Sequence, residues 1–238
     1  MSTVVVKVGT SSITDDVGDL DDGAMVKLCA DLVDARRSGH RVVLVTSGAI
    51  SAGLPALGMT ERPSDVGELQ AVAAVGQPRL MERISALLGS SGVVAGQVLL
   101  TPFDFGHRTQ YLHARSTLRR LLDLGVLPVV NENDTVADDE IRYGDNDRLA
   151  ALVAHLVDAE SLVLLTDTPG LFTADPRIDA EASLIEEIVE VDEALEAVAG
   201  VREPSGGAAG WPPSWRPPRS RHGRVSRLSS RRPTRRVP

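Results

Sequence analysis

Short runs of Val and Leu alternate along the chain with longer stretches in which apolar residues return every third or fourth position. The runs TVVVKV (3–8), RVVLVT (41–46), VVAGQVLL (93–100), VLPVVN (126–131) and SLVLLT (161–166) read as strands buried on both faces of a parallel sheet. Between them DDGAMVKLCADLVDARRSG (21–39), VGELQAVAAVGQPRLMERISALLG (66–89), TQYLHARSTLRRLLDLG (109–125) and DNDRLAALVAHLVDA (145–159) carry the helical period, and Gly39, Gly89 and Gly125 stand where C-caps are expected. Strand and helix in strict alternation predict an α/β fold, a three-layer α/β/α sandwich around a mainly parallel central sheet. The segment DTVADDEIRYGDND (134–147) breaks the rhythm, and its alternation around Ile141 and Tyr143 predicts a hairpin projecting from the sheet.

Charge divides the chain in two. The formal charge is −8 over 238 residues, yet residues 201–238 hold ten Arg against one Glu, so residues 1–200 carry −17. An acidic body repels phosphate backbones and anionic membranes, which argues against nucleic acid and favours a small-molecule ligand. No apolar run approaches the roughly 20 residues that a membrane helix needs, and MSTVVVKVGTSS opens on a strand with no signal-peptide pattern. The lone Cys29 has no second cysteine to pair with, so the expected setting is a reducing, cytoplasmic one, with Cys29 as packing.

In sheets of this kind ligands bind where the strands end at their carboxyl sides. The stretches there read KVGTSS, TSGAISAG, NENDTV and TDTPGLFTADP, dense in Gly, Ser, Thr, Asn and Asp, and Lys7 is one of only two lysines in the protein. Small residues that free backbone N–H groups, with an ammonium beside them, suit a phosphate, and a fixed positive charge would steady a transferring phosphoryl group. Neither G-x-x-x-x-G-K-[ST] nor a G-x-G-x-x-G after a strand is present, so any nucleotide is held in another way. The five histidines show no metal spacing and receive no role; no metal ligands are assigned.

Taken in order, VVKVGTSS, VTSGAISAG, AAVGQPRLM, NENDTV with GDNDRLAALVA, and LLTDTPGLFTADP resemble the amino acid kinase family, and within it the glutamate 5-kinases, from residue 2 to about residue 200. The resemblance implies phosphorylation of the γ-carboxylate of L-glutamate by ATP, with Mg2+, as the first step of proline biosynthesis. It assigns Lys7 to the phosphates and Asp147 to orienting that lysine, with a helix-start carboxylate as the plainer reading of Asp147. It assigns Ser47, Asp134 and Asn146 to the amino acid substrate: a hydroxyl for its carboxylate, a carboxylate for its ammonium, an amide for either. Thr166 and Asp167 match the nucleotide-contacting pair, and Gly170 to Pro176 would wall the base and ribose, while Asp138, Asp139 and Glu140 read as a solvated face. Other acceptors used within the fold, namely aspartate, N-acetylglutamate, carbamate and UMP, stay open, as do a homo-oligomer and a non-catalytic fragment.

Beyond Glu203 the composition changes. Both tryptophans and half of the 14 prolines lie there. The family continues at this point with a loop of the form G-[ST]-G-G-M-x-T-K. Codons permitted for GGAAGWPPSW, read from their third bases, can spell Gly-Ser-Gly-Gly-Met-Ala-Thr-Lys-Leu. The expectation is an incomplete kinase domain over 1–200 without a PUA domain, followed over 201–238 by a disordered, out-of-frame Arg/Pro-rich tail. The rival reading is an RNA-binding basic arm.

Overall fold

The computed structural model describes residues 1–15, 18–136, 146–166, 170, 172–174, 179 and 181–186. Five strands, β1 (Thr3–Val8), β2 (Arg41–Val45), β3 (Ala95–Leu100), β4 (Leu127–Glu132) and β5 (Ser161–Leu165), form one sheet in the order β3-β4-β2-β1-β5. Every pairing is parallel, with Val4 opposite both Val42 and Ser161. The connections run through α1 (Asp22–Arg37), the short α2 (Ala49–Gly53), α3 (Val66–Gly89), the short α4 (Pro102–Gly106), α5 (Arg108–Asp123) and α6 (Asn146–Leu156). All of these elements lie in one unit, residues 1–165, and Thr166–Ser220 form a second.

Two apolar clusters account for the layering. Val6, Val8, Val42, Leu44, Val129 and Val163 turn to one face and meet Met25, Leu28 and Leu32 of α1 with Leu80, Ile84 and Leu88 of α3. The alternate positions Val5, Val43, Val45 and Val130 turn to the other face and meet Leu118 and Leu122 of α5 with Leu149, Val153 and Leu156 of α6. The strand period of two thus divides each run between two helix layers, giving the α/β/α sandwich that the sequence predicts.

The inner strands β1, β2 and β4 are buried almost throughout, as expected for runs without polar alternation. The outer two differ from the expectation: in β3 only Leu100 is buried and in β5 only Val163. An edge strand is covered from one side only, so a Val/Leu-rich run does not by itself specify full burial. At the helix ends Gly39 and Gly125 adopt φ of 92° and 74°, whereas Gly89 closes α3 as its last helical residue and the left-handed position falls to Gly92 at 74°. The predicted hairpin around Ile141 and Tyr143, the acidic Asp138, Asp139 and Glu140, and the Arg/Pro-rich tail lie outside the described residues. Among the described residues no helix is long and apolar enough to cross a membrane.

In the second unit, Phe172 bridges Leu184 in antiparallel fashion, and Thr173 N–H donates to Ser183 O at 2.9 Å. Gly170 sits there at φ 140°.

Candidate active site

The alternation in β1 decides where its lysine goes. Lys7 shares a face with Val5, the face on which α6 packs, and the first turn of α6 brings Asp147 to it. Nζ of Lys7 lies 2.7 Å from Oδ1 of Asp147, with the lysine side chain 9% exposed and the aspartate 41%. The ammonium also hangs over the loop that follows β1, for a Cβ built on Gly9 would come within 3.5 Å of it. Lys7 is therefore a fixed positive charge above a glycine backbone, held by a carboxylate that reaches the surface. A buried ammonium needs such a partner to remain charged.

A second group of polar side chains stands at the carboxyl ends of β2 and β4. Thr46, Asn131, Asn146 and Gln77 are all buried. Asn131 Nδ2 donates to Gln77 Oε1 at 2.6 Å, and its Oδ1 accepts from Asn146 Nδ2 at 3.0 Å and from the Glu132 N–H at 2.9 Å. Asn146 Nδ2 also reaches Thr46 O at 2.6 Å and Ser47 Oγ at 2.8 Å, so its two N–H groups are shared among three acceptors. The backbone carbonyl of Thr46 fixes which way the Asn146 amide points. Because Nδ2 is spent inward, the oxygen Oδ1 is what Asn146 has to offer a ligand. Ser47 Oγ accepts from Asn146, which leaves its O–H to donate.

Ser47 is followed by Gly48 at φ 99°, where a Cβ would lie 3.1 Å from Ile13 Cδ1. A left-handed turn against a buried isoleucine calls for glycine. The short helix α2 then lies directly on α3. A Cβ on Gly76 would fall 1.7 Å from Ala49 O, and one on Gly53 would fall 2.1 Å from Val72 O. These two glycines let the backbones touch and so fix the Ser47 loop against α3.

Past β4 two carboxylates follow in close succession. Burial first, and then the charge of Asp134, pushes Glu132 up to about 7. Burial also pushes Asp134 up to about 6, with Arg62 pulling the other way. Glu132 Oε1 is enclosed without a hydrogen-bond partner.

Of the residues singled out from sequence, the structure joins Lys7 to Asp147 and Ser47 to Asn146 by direct bonds and places Asp134 in the turn two residues past β4. Thr166 is the exposed first residue after β5. Asp167 lies outside the described residues, as do Leu171, Asp175 and Pro176 of the expected nucleotide wall. Sequence reasoning gave no part to Gln77, Asn131, Thr46, Glu132 or Arg62. One signal was available: Gln77 sits in the apolar stripe Ala73, Leu80, Ile84, Leu88 of α3, where a polar side chain calls for a buried partner. Among the described residues no group of three or more His, Cys, Asp or Glu is placed to hold a metal ion.

Comparison with known proteins places this geometry in context. Residues 2–210 match the model of the Amino acid kinase family. The chain is 53% identical over 206 residues to the glutamate 5-kinase of Pseudomonas entomophila (strain L48), covering 87% of this chain and 55% of that protein. It is 52% identical over 196 residues to the glutamate 5-kinase of Gloeobacter violaceus, covering 82% and 53%. The chain thus spans about half the length of the curated relatives it matches. Among solved structures, the aspartate kinase from Synechocystis superposes with a TM-score of 0.53 at 17% identity, over 78% of this chain and 32% of that one. That likeness is one of fold.

Proposed function

The chain belongs to the amino acid kinase family, and from that premise we propose that it transfers the γ-phosphoryl group of ATP to the γ-carboxylate of L-glutamate, the first step of proline biosynthesis. The observation that carries the proposal is the Lys7–Asp147 pair at 2.7 Å over Gly9, on the same sheet edge as Ser47, Asp134 and Asn146. It is supported by the glutamate 5-kinases that are 52 to 53% identical to this chain over the aligned half of their length.

In this reading a γ-carboxylate oxygen attacks the γ-phosphorus, the bond from phosphorus to the bridging oxygen breaks, and ADP leaves with the charge. The acceptor carboxylate is already ionised near neutral pH, so no general base is required. That fits an edge of the sheet on which no histidine has been given a role. Lys7 supplies charge to the phosphoryl oxygens as they separate, and Asp147 keeps the ammonium in place. Asp134 and Asn146 Oδ1 face the substrate ammonium, and the Ser47 hydroxyl donates to its α-carboxylate. Thr166 and Asp167 serve the nucleotide. Mg2+ would come with the ATP phosphates and would neutralise part of their charge.

The test is trapping of γ-glutamyl phosphate with hydroxylamine, with Mg-ATP and a panel of acceptors that includes aspartate and N-acetylglutamate. It is run on the 238-residue chain, on Asp134→Ala, and on a chain whose codons past Gly200 are read in the shifted frame. L-Glutamate should be the preferred acceptor, and Asp134→Ala should no longer saturate with it. Restoring the Met-x-Thr-Lys loop adds a cation at the phosphates and should raise turnover by about 10²-fold or more. Unchanged trapping in Asp134→Ala would overturn the substrate assignment, and equal turnover of the two frames would overturn the reading of residues 201–238.

A further inference from the structure

The stretch AAVGQPRLM (73–81) helps to carry the family resemblance, yet nothing in the phosphoryl-transfer scheme uses it. It lies in the middle of α3, away from the carboxyl ends of the strands in sequence, and its buried glutamine makes a hydrogen bond at 2.6 Å to the end of β4. From Gln77 the bonds continue through Asn131 and Asn146 to the Ser47 hydroxyl. From Ser47 the chain runs through Gly48 into α2, which rests on Gly76, the neighbour of Gln77. The circuit is closed: one turn of α3 touches the Ser47 loop through backbone at Gly76 and through side chains at Gln77.

We infer that Gln77 is a positioning residue for amino acid binding, acting through Asn131 to set the orientation of the Asn146 amide and of the Ser47 hydroxyl. This rests on the reading of Ser47 and Asn146 as the groups that hold the substrate.

An amide can be turned end for end at little steric cost, so its direction must be dictated by its partners. For Asn131 those partners agree. The Glu132 N–H can only donate, which fixes Oδ1 toward it and turns Nδ2 toward α3, where the Gln77 amide supplies Oε1 as the acceptor that keeps this buried N–H satisfied. With Oδ1 so placed, Asn146 must present Nδ2 to it, and the carbonyl of Thr46 demands the same. The four side chains then have one consistent polarity, and it ends with Ser47 Oγ as an acceptor whose proton is free for a ligand. Removing the acceptor at Gln77 strands a buried N–H on Asn131, and turning the amide gives no relief because Nδ2 would then face the Glu132 N–H and Asn146 Nδ2. Relief comes instead from displacement of Asn131, which loosens its hold on Asn146 Nδ2 and passes the disturbance to Ser47. The circuit leads to Ser47, so the effect is expected on amino acid affinity, with Mg-ATP affinity as the control.

The experiment uses the full 238-residue chain as wild type, Gln77→Met, which removes the acceptor, and Gln77→Glu, which keeps one. The first readout needs no ligand: the side-chain amide signals of Asn131 and Asn146 in 1H–15N spectra. In Gln77→Met both residues should shift and lose protection from hydrogen exchange; in Gln77→Glu both should stay protected. The second readout is calorimetric affinity. L-Glutamate should bind about tenfold more weakly, or worse, to Gln77→Met and within about threefold of wild type to Gln77→Glu, with Mg-ATP affinity unchanged within about twofold in both. Should Gln77→Met fail to fold, Gln77→Ser, short of the acceptor position but polar, takes its place. An unmoved Asn146 amide in the acceptor-less variant overturns the inference, as does a lowered melting temperature with glutamate affinity intact, which is all that a purely structural glutamine would produce. A wild-type chain that binds no L-glutamate refutes the substrate reading alone, and the amide spectra still decide the relay.

Discussion

Glu132 is the residue whose replacement should make this protein more stable. Its carboxyl is pushed from an ordinary 4.5 to about 7, chiefly by burial and next by Asp134, and one of its oxygens is enclosed without a partner. A carboxyl that holds its proton more tightly in the folded state favours the fold at low pH and opposes it as pH rises from the unfolded value through the folded one. At about 1.4 kcal/mol for each tenfold change in proton affinity, the cost at pH 8 is roughly 3 kcal/mol. At pH 5 most Glu132 side chains are protonated in the fold, and the cost shrinks to less than about 1 kcal/mol. Glu132→Gln has the shape of the protonated acid and carries no charge, so it should recover that difference. The gain is then about 3 kcal/mol at pH 8, or roughly 6 to 12 °C in melting temperature for a domain of this size, and little at pH 5. Urea unfolding of both proteins at the two pH values measures it. A gain that is the same at pH 5 and pH 8 would refute the reasoning, because it would show that ionisation of Glu132 is not what strains the fold. Asp134, raised to about 6 by burial, acts with the same sign. Since each carboxylate burdens the other, Asp134→Asn should add less in the Glu132→Gln background than it does alone.

Two further predictions follow from the site. Lys7→Met should lower the rate of γ-glutamyl hydroxamate formation by about 10²- to 10³-fold, with Asp147→Asn lowering it less because the amide oxygen still accepts from the ammonium; a lysine variant within threefold of wild type would remove Lys7 from the chemistry. Gly76→Ala should cost about 3 kcal/mol or more in urea unfolding, since its methyl would be driven to 1.7 Å from Ala49 O. Gly89→Ala, with nothing within 4 Å, should be neutral or slightly stabilising.

The fold was legible because its signal is repeated. β1 and α3 fall on the residues that their patterns mark, Thr3–Val8 and Val66–Gly89, and the alternation of elements leaves few topologies open. The short helices α2 and α4 have too few residues to show a period, and the exposure of β3 and β5 depends on their place in the sheet, which local sequence does not encode. Within the site the residue types were legible and the bonds between them were not. Lys7 stood out by rarity, and Ser47 and Asn146 by motif. That Asn146 spends its Nδ2 inward follows from how α6 meets the ends of β2 and β4, across residues far apart in the chain, and the partial burial that raises Glu132 and Asp134 is likewise set by packing that local sequence does not show. Gln77 was visible as a polar intrusion in an apolar stripe, but its partner was not.

The sheet also sets a timetable for synthesis. β1 leaves the ribosome well before β5 and ends as an inner strand between β2 and β5, with Val4 opposite Ser161. At translation rates of about 5 to 20 residues per second, on the order of ten seconds or more separate the appearance of its two edges' partners. β2 can dock early, but the other edge of TVVVKV stays open, a ladder of unpaired N–H and C=O groups on a Val-rich strand. A nascent chain in this state is an acceptor for any free strand, including the β5 of a neighbour on the same messenger. Its yield should therefore respond to how quickly residues 41–165 are translated and to which chaperones guard the exit tunnel.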